Sequence, residues 1–266
     1  MFIMKNYVLF LALILVFSCK NEKSNEIKND VSTIEKSLTA TDIINKSIEV
    51  SGGENFKRSS LKFEFRDTYY QALRKYNEFL LVRLNVDGND SIFDMLSNVG
   101  FERYNNKTFV KLEDSIAKKY EASVNSVHYF SVLPYGLNDD AVHKTLLENE
   151  KIKDKDYYKI KVTFDAVGGG EDFEDIFIYW IDIKTFKVDY LAYSYNEIDG
   201  VGMRFREAYN ERYINSLRFV DYNNYKSEDT SIALENLGKA FEDNQLKLLS
   251  KIELENVEVK LVDINL

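Results

Sequence analysis

The stretch FEDIFIYWIDIKTFKVDYLAYSYNEIDGVGMRFREAYNERYINSLRFVDYNNY, residues 173–225, decides the fold. It contains four runs rich in aromatic and β-branched residues: Phe173–Ile183, Lys187–Tyr195, Val201–Tyr213 and Leu217–Tyr225. Such runs favour strands. The links Lys184-Thr185, Asp199-Gly200 and Asn215-Ser216 suit tight turns, and they leave no room for a crossover helix. Successive strands are therefore expected to run antiparallel, as a meander.

The same pattern extends outward. Leu61, Phe63 and Phe65 alternate with Lys62, Glu64 and Arg66, as in a half-buried strand. Phe79–Val86 is a further strand, stopped by Asp87-Gly88. Phe101–Arg103 and Thr108–Leu112 flank a hairpin turn at Asn105-Asn106. Tyr158, Ile160, Val162 and Phe164 alternate with polar residues, and Gly168-Gly169-Gly170 turns the chain. Lys247–Leu254 and Val257–Ile264 close the set. Helical spacing appears at Ile43, Ile44, Ile48 and Val50, with Thr41 as the expected cap and Gly52-Gly53 as the stop. It recurs from Asp114 to Val132 through Ile116, Tyr120, Val124, Val127 and Phe130, ahead of Pro134. A short helix is expected near Ile232–Phe241. Roughly ten strands with few helices predict a mainly β (α+β) chain, folded as a single curled antiparallel sheet or unclosed barrel.

The N-terminus reads differently. Lys5 precedes an apolar run from Tyr7 to Phe17, which is shorter than the ~18 residues of a membrane span. Ser18 and Cys19 follow, then the polar residues Lys20-Asn21-Glu22-Lys23. This is a signal-peptide pattern. Cys19 at the cut resembles a bacterial lipobox, in which the thiol receives a diacylglycerol; Val16 and Ser18 fit, whereas Phe17 is bulkier than usual. The expected organisation is a lipoprotein signal peptide over 1–18, a flexible tether over 19–40 and one β-rich domain over 41–266. Cys19 is the only cysteine, so disulfides and thiolate zinc sites are excluded. A net charge of −9 without a basic block argues against nucleic acid as a partner.

Two constellations are candidate binding elements. Strict alternation along Met203–Ile214 would set Arg204, Arg206, Asn210 and Arg212 on one face. Clustered arginines repel unless they meet an anion. They either grip a carboxylate or phosphate headgroup or pair with acids such as Asp175, Asp189 or Asp221. The aromatic set Phe173, Phe177, Tyr179, Trp180, Tyr190, Tyr193 and Tyr195 either lines a groove or packs a core. Glu171-Asp172-Phe173-Glu174-Asp175 lacks the loop spacing of an EF-hand and reads as a solvated acidic hairpin. His128 and His143 have no adjacent nucleophile in a recognisable motif, and both read as structural. No cofactor is called for.

Val124-Asn125-Ser126-Val127-His128-Tyr129-Phe130, Leu133-Pro134-Tyr135, Tyr179-Trp180-Ile181, Asp189-Tyr190-Leu191-Ala192-Tyr193 and Arg204–Asn210 resemble a family of Bacteroidota envelope lipoproteins. Gly52-Gly53 and Gly168-Gly169-Gly170 share in the likeness. The order of elements is similar to the LolA/LolB lipoprotein-carrier fold, an unclosed antiparallel barrel whose concave face holds acyl chains. The resemblance implies a non-enzymatic, lipid-anchored carrier or binding module for an amphiphilic ligand, held at the outer membrane. Arg204, Arg206, Arg212, Trp180, Tyr190 and Tyr193 are its candidate ligand residues. The alternatives are an envelope hydrolase acting on lipid or glycan, and a structural accessory lipoprotein. Radiolabelled fatty acid is expected on the mature protein and is expected to be lost on Cys19→Ser; a variant that stays labelled removes the anchor.

Overall fold

The computed structural model describes residues 37–170, 172–197 and 200–262, so Cys19 and the leader lie outside the described residues. Helix α1 (Ala40–Ser51) is capped two residues before the expected Thr41. Thr39 is its cap, because Asp42 completes a reciprocal capping box: the Asp42 amide donates to Thr39 Oγ1 at 3.1 Å, and the Thr39 amide donates to Asp42 Oδ2 at 2.9 Å. Such a cap contributes about 1 kcal/mol. A short 3-10 turn, Gly53–Lys57, leads into the first strands.

Those strands are β1 (Arg58–Phe65), β2 (Thr68–Lys75), β3 (Glu78–Asp87), β4 (Asp90–Ser97), β5 (Gly100–Asn105) and β6 (Thr108–Phe109). Helix α2 (Asp114–Ser131) follows. Then come β7 (Val142–Leu146), β8 (Glu150–Ile152), β9 (Lys155–Phe164), β10 (Ile176–Asp182), β11 (Val188–Glu197), β12 (Gly200–Ile214) and β13 (Leu217–Ser227). Helix α3 (Leu237–Glu242) precedes β14 (Leu246–Ile252) and β15 (Glu255–Leu261). The chain is mostly β and antiparallel, as expected, but the roughly ten strands that the pattern predicts are fifteen among the described residues. They form two unclosed sheets, ordered β15-β1-β2-β3-β4-β5-β6 and β14-β13-β12-β11-β10-β9-β7, with β8 on β9. The last two strands divide between them: β14 pairs with β13 in one sheet and β15 with β1 in the other.

Helix α2 fills the space between. Val124 and Val132 at its end pack with Leu61, Phe63, Tyr70, Leu81 and Leu96 of the first sheet. Tyr129 and Phe130 pack on the second sheet, with Phe177, Tyr179, Leu191 and Tyr222. Three- and four-residue spacing puts these two sets on different sides of the helix. The outer face of the second sheet is covered too. Ile178, Trp180, Tyr190, Ala192 and Phe205 lie under Leu237 and Phe241. Gly238 permits that approach, since a Cβ there would lie 2.8 Å from the Trp180 ring. A sheet buried on both faces explains why Ile176–Asp182 reads as a nearly continuous apolar run.

One polar cluster ties α2 to the first sheet. Asp94 is completely buried. Arg83 donates to Asp94 Oδ2 through Nε at 3.0 Å and Nη2 at 2.6 Å. Arg103 donates from Nε to Oδ1 at 2.6 Å and from Nη2 to Oδ2 at 2.9 Å. The Arg103 guanidinium also lies 3.5 Å from the centre of the Tyr120 ring, and Arg83 Nη1 donates to Ser123 Oγ at 2.7 Å. Removing the shared carboxylate leaves two mostly buried cations without a counter-charge. Asp94→Ala is expected to lower the unfolding free energy by about 3 kcal/mol in a urea titration; an unchanged midpoint would show that water screens the pair.

Candidate functional site

The inner ends of β11 to β14, the turn after β1 and one flank of α2 enclose a cavity of about 560 Å³. Phe65, Val127, Phe130, Tyr222, Leu249, Ile252 and Leu254 supply apolar wall. Ser126, Ser131, Asn224, Ser250, Arg204 and Arg206 supply polar groups. A second hollow of about 480 Å³ shares Phe130, Tyr193, Tyr195 and Arg206, and Asp172, Glu174 and Asp175 rim it. Burial, together with the charges of Asp172 and Glu174, pushes the Asp175 carboxyl up to about 7.

Arg206 stands where the two hollows meet. It is 7% exposed. Its guanidinium lies 3.8 Å from the centre of the Phe130 ring and 4.9 Å from that of Tyr193. Nη2 donates to the Tyr193 hydroxyl at 2.8 Å, while Nε has no partner among the described residues. Burial lowers the guanidinium pKa. Directly across the strand pair is Asn224, which donates from Nδ2 to Ser250 Oγ at 3.2 Å and whose Oδ1 is likewise unpartnered. Arg204, paired with Tyr193, donates from Nη1 to the Met203 carbonyl at 2.8 Å and lies over the Tyr195 ring.

Three of the six candidate side chains thus meet here: Arg204, Arg206 and Tyr193. The other three do not. Arg212 leaves the arginine face because the register shifts between Tyr209 and Arg212, with Asn210 at φ 50°. Arg206 pairs with Asn224, whereas Arg212 pairs with Phe219, on the opposite face of β13. Its Nη2 donates to Asp221 Oδ1 at 3.0 Å and to the Leu254 carbonyl at 2.7 Å. Of the acids considered as partners, Asp221 thus takes Arg212, whereas Asp189 accepts from Lys155 and the Tyr157 hydroxyl. Trp180 and Tyr190 point to the outer face, since residues one apart on a strand face opposite ways. Trp180 Nε1 donates to Glu150 Oε2 at 3.1 Å. Phe130, Asn224, Ser250, Leu249 and Ile252 were not among the candidates. They come from three separate segments, brought together by the pairing of β13 with β14 and by the packing of α2 on the second sheet.

The histidines lie elsewhere. His143 Nε2 is 2.7 Å from Asp165 Oδ1 on the surface. His128 is buried edge-on to Phe63 and Tyr70, with Nε2 3.1 Å from the Val82 carbonyl and Nδ1 unpartnered. Among the described residues no helix is long and apolar enough to cross a membrane.

Fold and site together define a mostly β domain in which two unclosed antiparallel sheets share one wedge helix and enclose a mixed apolar and cationic cavity. The chain belongs to the family of unknown function DUF6503, whose model matches residues 4–254. No curated protein matches it. Among solved structures it is similar to a LolA superfamily protein from Nitrosomonas europaea, with 14% identity and a TM-score of 0.47, over 86% of this chain and 96% of that one. It is also similar to a DUF1329 family protein from Desulfovibrio piger, with 10% identity and a TM-score of 0.41, over 86% of this chain and 95% of that one.

Burial, reinforced by the Arg74 charge, drops the His128 pKa to about 3. The unfolded chain therefore binds a proton that the native state refuses between about pH 6.5 and pH 3. Stability is lost as pH falls through that window, by up to ~1.4 kcal/mol per pH unit from this group. In parallel urea titrations, His128→Gln is expected to show a shallower acid slope than the native sequence by that amount; equal slopes would place the titration elsewhere.

Proposed function

We propose that this protein is a lipid-anchored binding or carrier module of the bacterial cell envelope, taking an amphiphilic ligand into the cavity beneath Phe130. The cavity itself carries the reading. Its volume of about 560 Å³ falls among small-molecule sites, and its walls join aromatic and aliphatic side chains to a few convergent polar groups. Apolar surface suits an acyl chain, and the arginines suit a charged or polar head. The leader over 1–18, with Cys19 directly after it, supports membrane attachment, and the family match begins at residue 4, inside that leader. The outer membrane is the proposed site, in line with the resemblance of the sequence to Bacteroidota envelope lipoproteins. The module works by binding, without covalent chemistry on its ligand.

The direct test is to purify the full-length protein from its membranes and extract it under denaturing conditions. Mass spectrometry of the extract is expected to show an amphiphile in near-stoichiometric amount, beyond the lipid bonded to Cys19. Replacing Ser131 with Trp at the cavity wall should reduce that amount several-fold while the protein stays folded. An extract free of co-purifying lipid, together with no binding of added amphiphiles, would remove the carrier reading.

A further inference from the structure

Arg206 is a cost that the fold alone does not explain. Arg83 and Arg103 share Asp94, and Arg218 donates to Glu211 at 2.5 Å, whereas Arg74 and Arg206 are buried without a carboxylate among the described residues, and only Arg206 of those two lines the cavity. Arg206 has only the Tyr193 hydroxyl and aromatic faces, and its Nε points to no acceptor among the described residues. An isolated buried charge is expensive unless something neutralises it. This arginine sits deep, beneath Phe130, while Leu249, 47% exposed, marks an open side of the same cavity. The acids Asp172, Glu174 and Asp175 border the other hollow next to Arg206, and they oppose an anion leaving by that side.

Resting on the carrier reading, we propose that Arg206 holds the singly charged anionic head of a single-chain amphiphile inside the cavity, with the tail running out toward Leu249. The ligand thus enters head first. The Nε and Nη2 edge of the guanidinium presents two parallel donors, the geometry that takes a carboxylate or phosphate in bidentate fashion. Tyr193, now accepting from Nη2, can turn its hydroxyl proton to the same head. Of the two arginines on the wall, Arg204 is half-buried and lies over the Tyr195 ring, whereas Arg206 is the buried one; at that depth one cation balances one negative charge, and a doubly charged phosphomonoester would leave an excess. A fatty acid carboxylate and a lysophospholipid phosphodiester both meet that requirement.

Isothermal titration of the delipidated full-length protein with palmitate, methyl palmitate and palmitoyl-lysophosphatidylglycerol separates the possibilities. Arg206→Met is the informative variant, because it removes an unpaired buried charge while keeping much of the volume, so its thermal midpoint should hold or rise. At least one of the two anions is expected to bind the native protein about 10- to 100-fold more tightly than Arg206→Met. Methyl palmitate should bind both proteins equally. Arg206→Lys should recover only part of the loss, since it keeps the charge without the fork. Which anion shows the loss identifies the head as carboxylate or phosphodiester. Equal anion affinity in the native protein and Arg206→Met overturns the proposal and leaves the carrier reading standing. So does methyl palmitate binding the native protein as tightly as both anions do. Failure of all three to bind the native protein overturns both.

Discussion

Two unclosed sheets with apolar inner faces cannot be satisfied by one helix unless that helix is apolar on two sides, and α2 meets this constraint. Val124 faces the first sheet and Phe130 the second. The polar cluster around Asp94 fixes the helix on one side, and the hydroxyl pair Tyr129–Tyr179, 2.9 Å apart, fixes it on the other. A helix fixed on both flanks leaves its remaining face, with Ser126, Val127 and Ser131, to border whatever volume the sheets do not close. The cavity is therefore a consequence of the wedge.

Polar groups inside this fold serve two different ends. Asp94 is satisfied on both oxygens and so adds geometric definition to the helix–sheet joint. Arg74 and Arg206 are buried with nitrogens left over, and both lie against aromatic rings. Cation–π contact recovers only about 0.5–2 kcal/mol, well below the cost of desolvating a guanidinium. The molecule holds stability in reserve at these points. Only Arg206 of the two lines the cavity beneath Phe130.

How far the sequence could be read depended on where charge was buried. The segment 173–225 was legible because its strands are long and its links short. β2 and β4 escaped notice because their alternation is inverted in part. Arg74 and Asp94 face inward, while Tyr69, Leu73, Phe93 and Met95 face outward on the same strands. A period-2 template that equates apolar with inside finds nothing there. Helix α2 was legible to within one residue at its end, since its spacing and Pro134 agree. At the site, Arg204, Arg206 and Tyr193 were within reach of simple alternation. Arg212 was not, because a bulge at Asn210 reverses the parity downstream, and a single added residue has no compositional signature. Trp180 and Tyr190 were misplaced because a sheet buried on both faces carries aromatics on each.

The pairing of β15 with β1 has a consequence for how the molecule comes into being. Ser59 lies opposite Leu261, so the first and the last of the described strands are neighbours. While the chain is being synthesised, the outer edge of β1 stays open until β15 has emerged. An open edge invites pairing with any other extended strand. Closing it joins distant parts of the chain, which is the slow kind of step in folding. The first sheet therefore passes through an interval in which it is formed but unsealed, and the link across Glu253-Leu254, which carries the chain from β14 in one sheet to β15 in the other, ends that interval for both sheets at once.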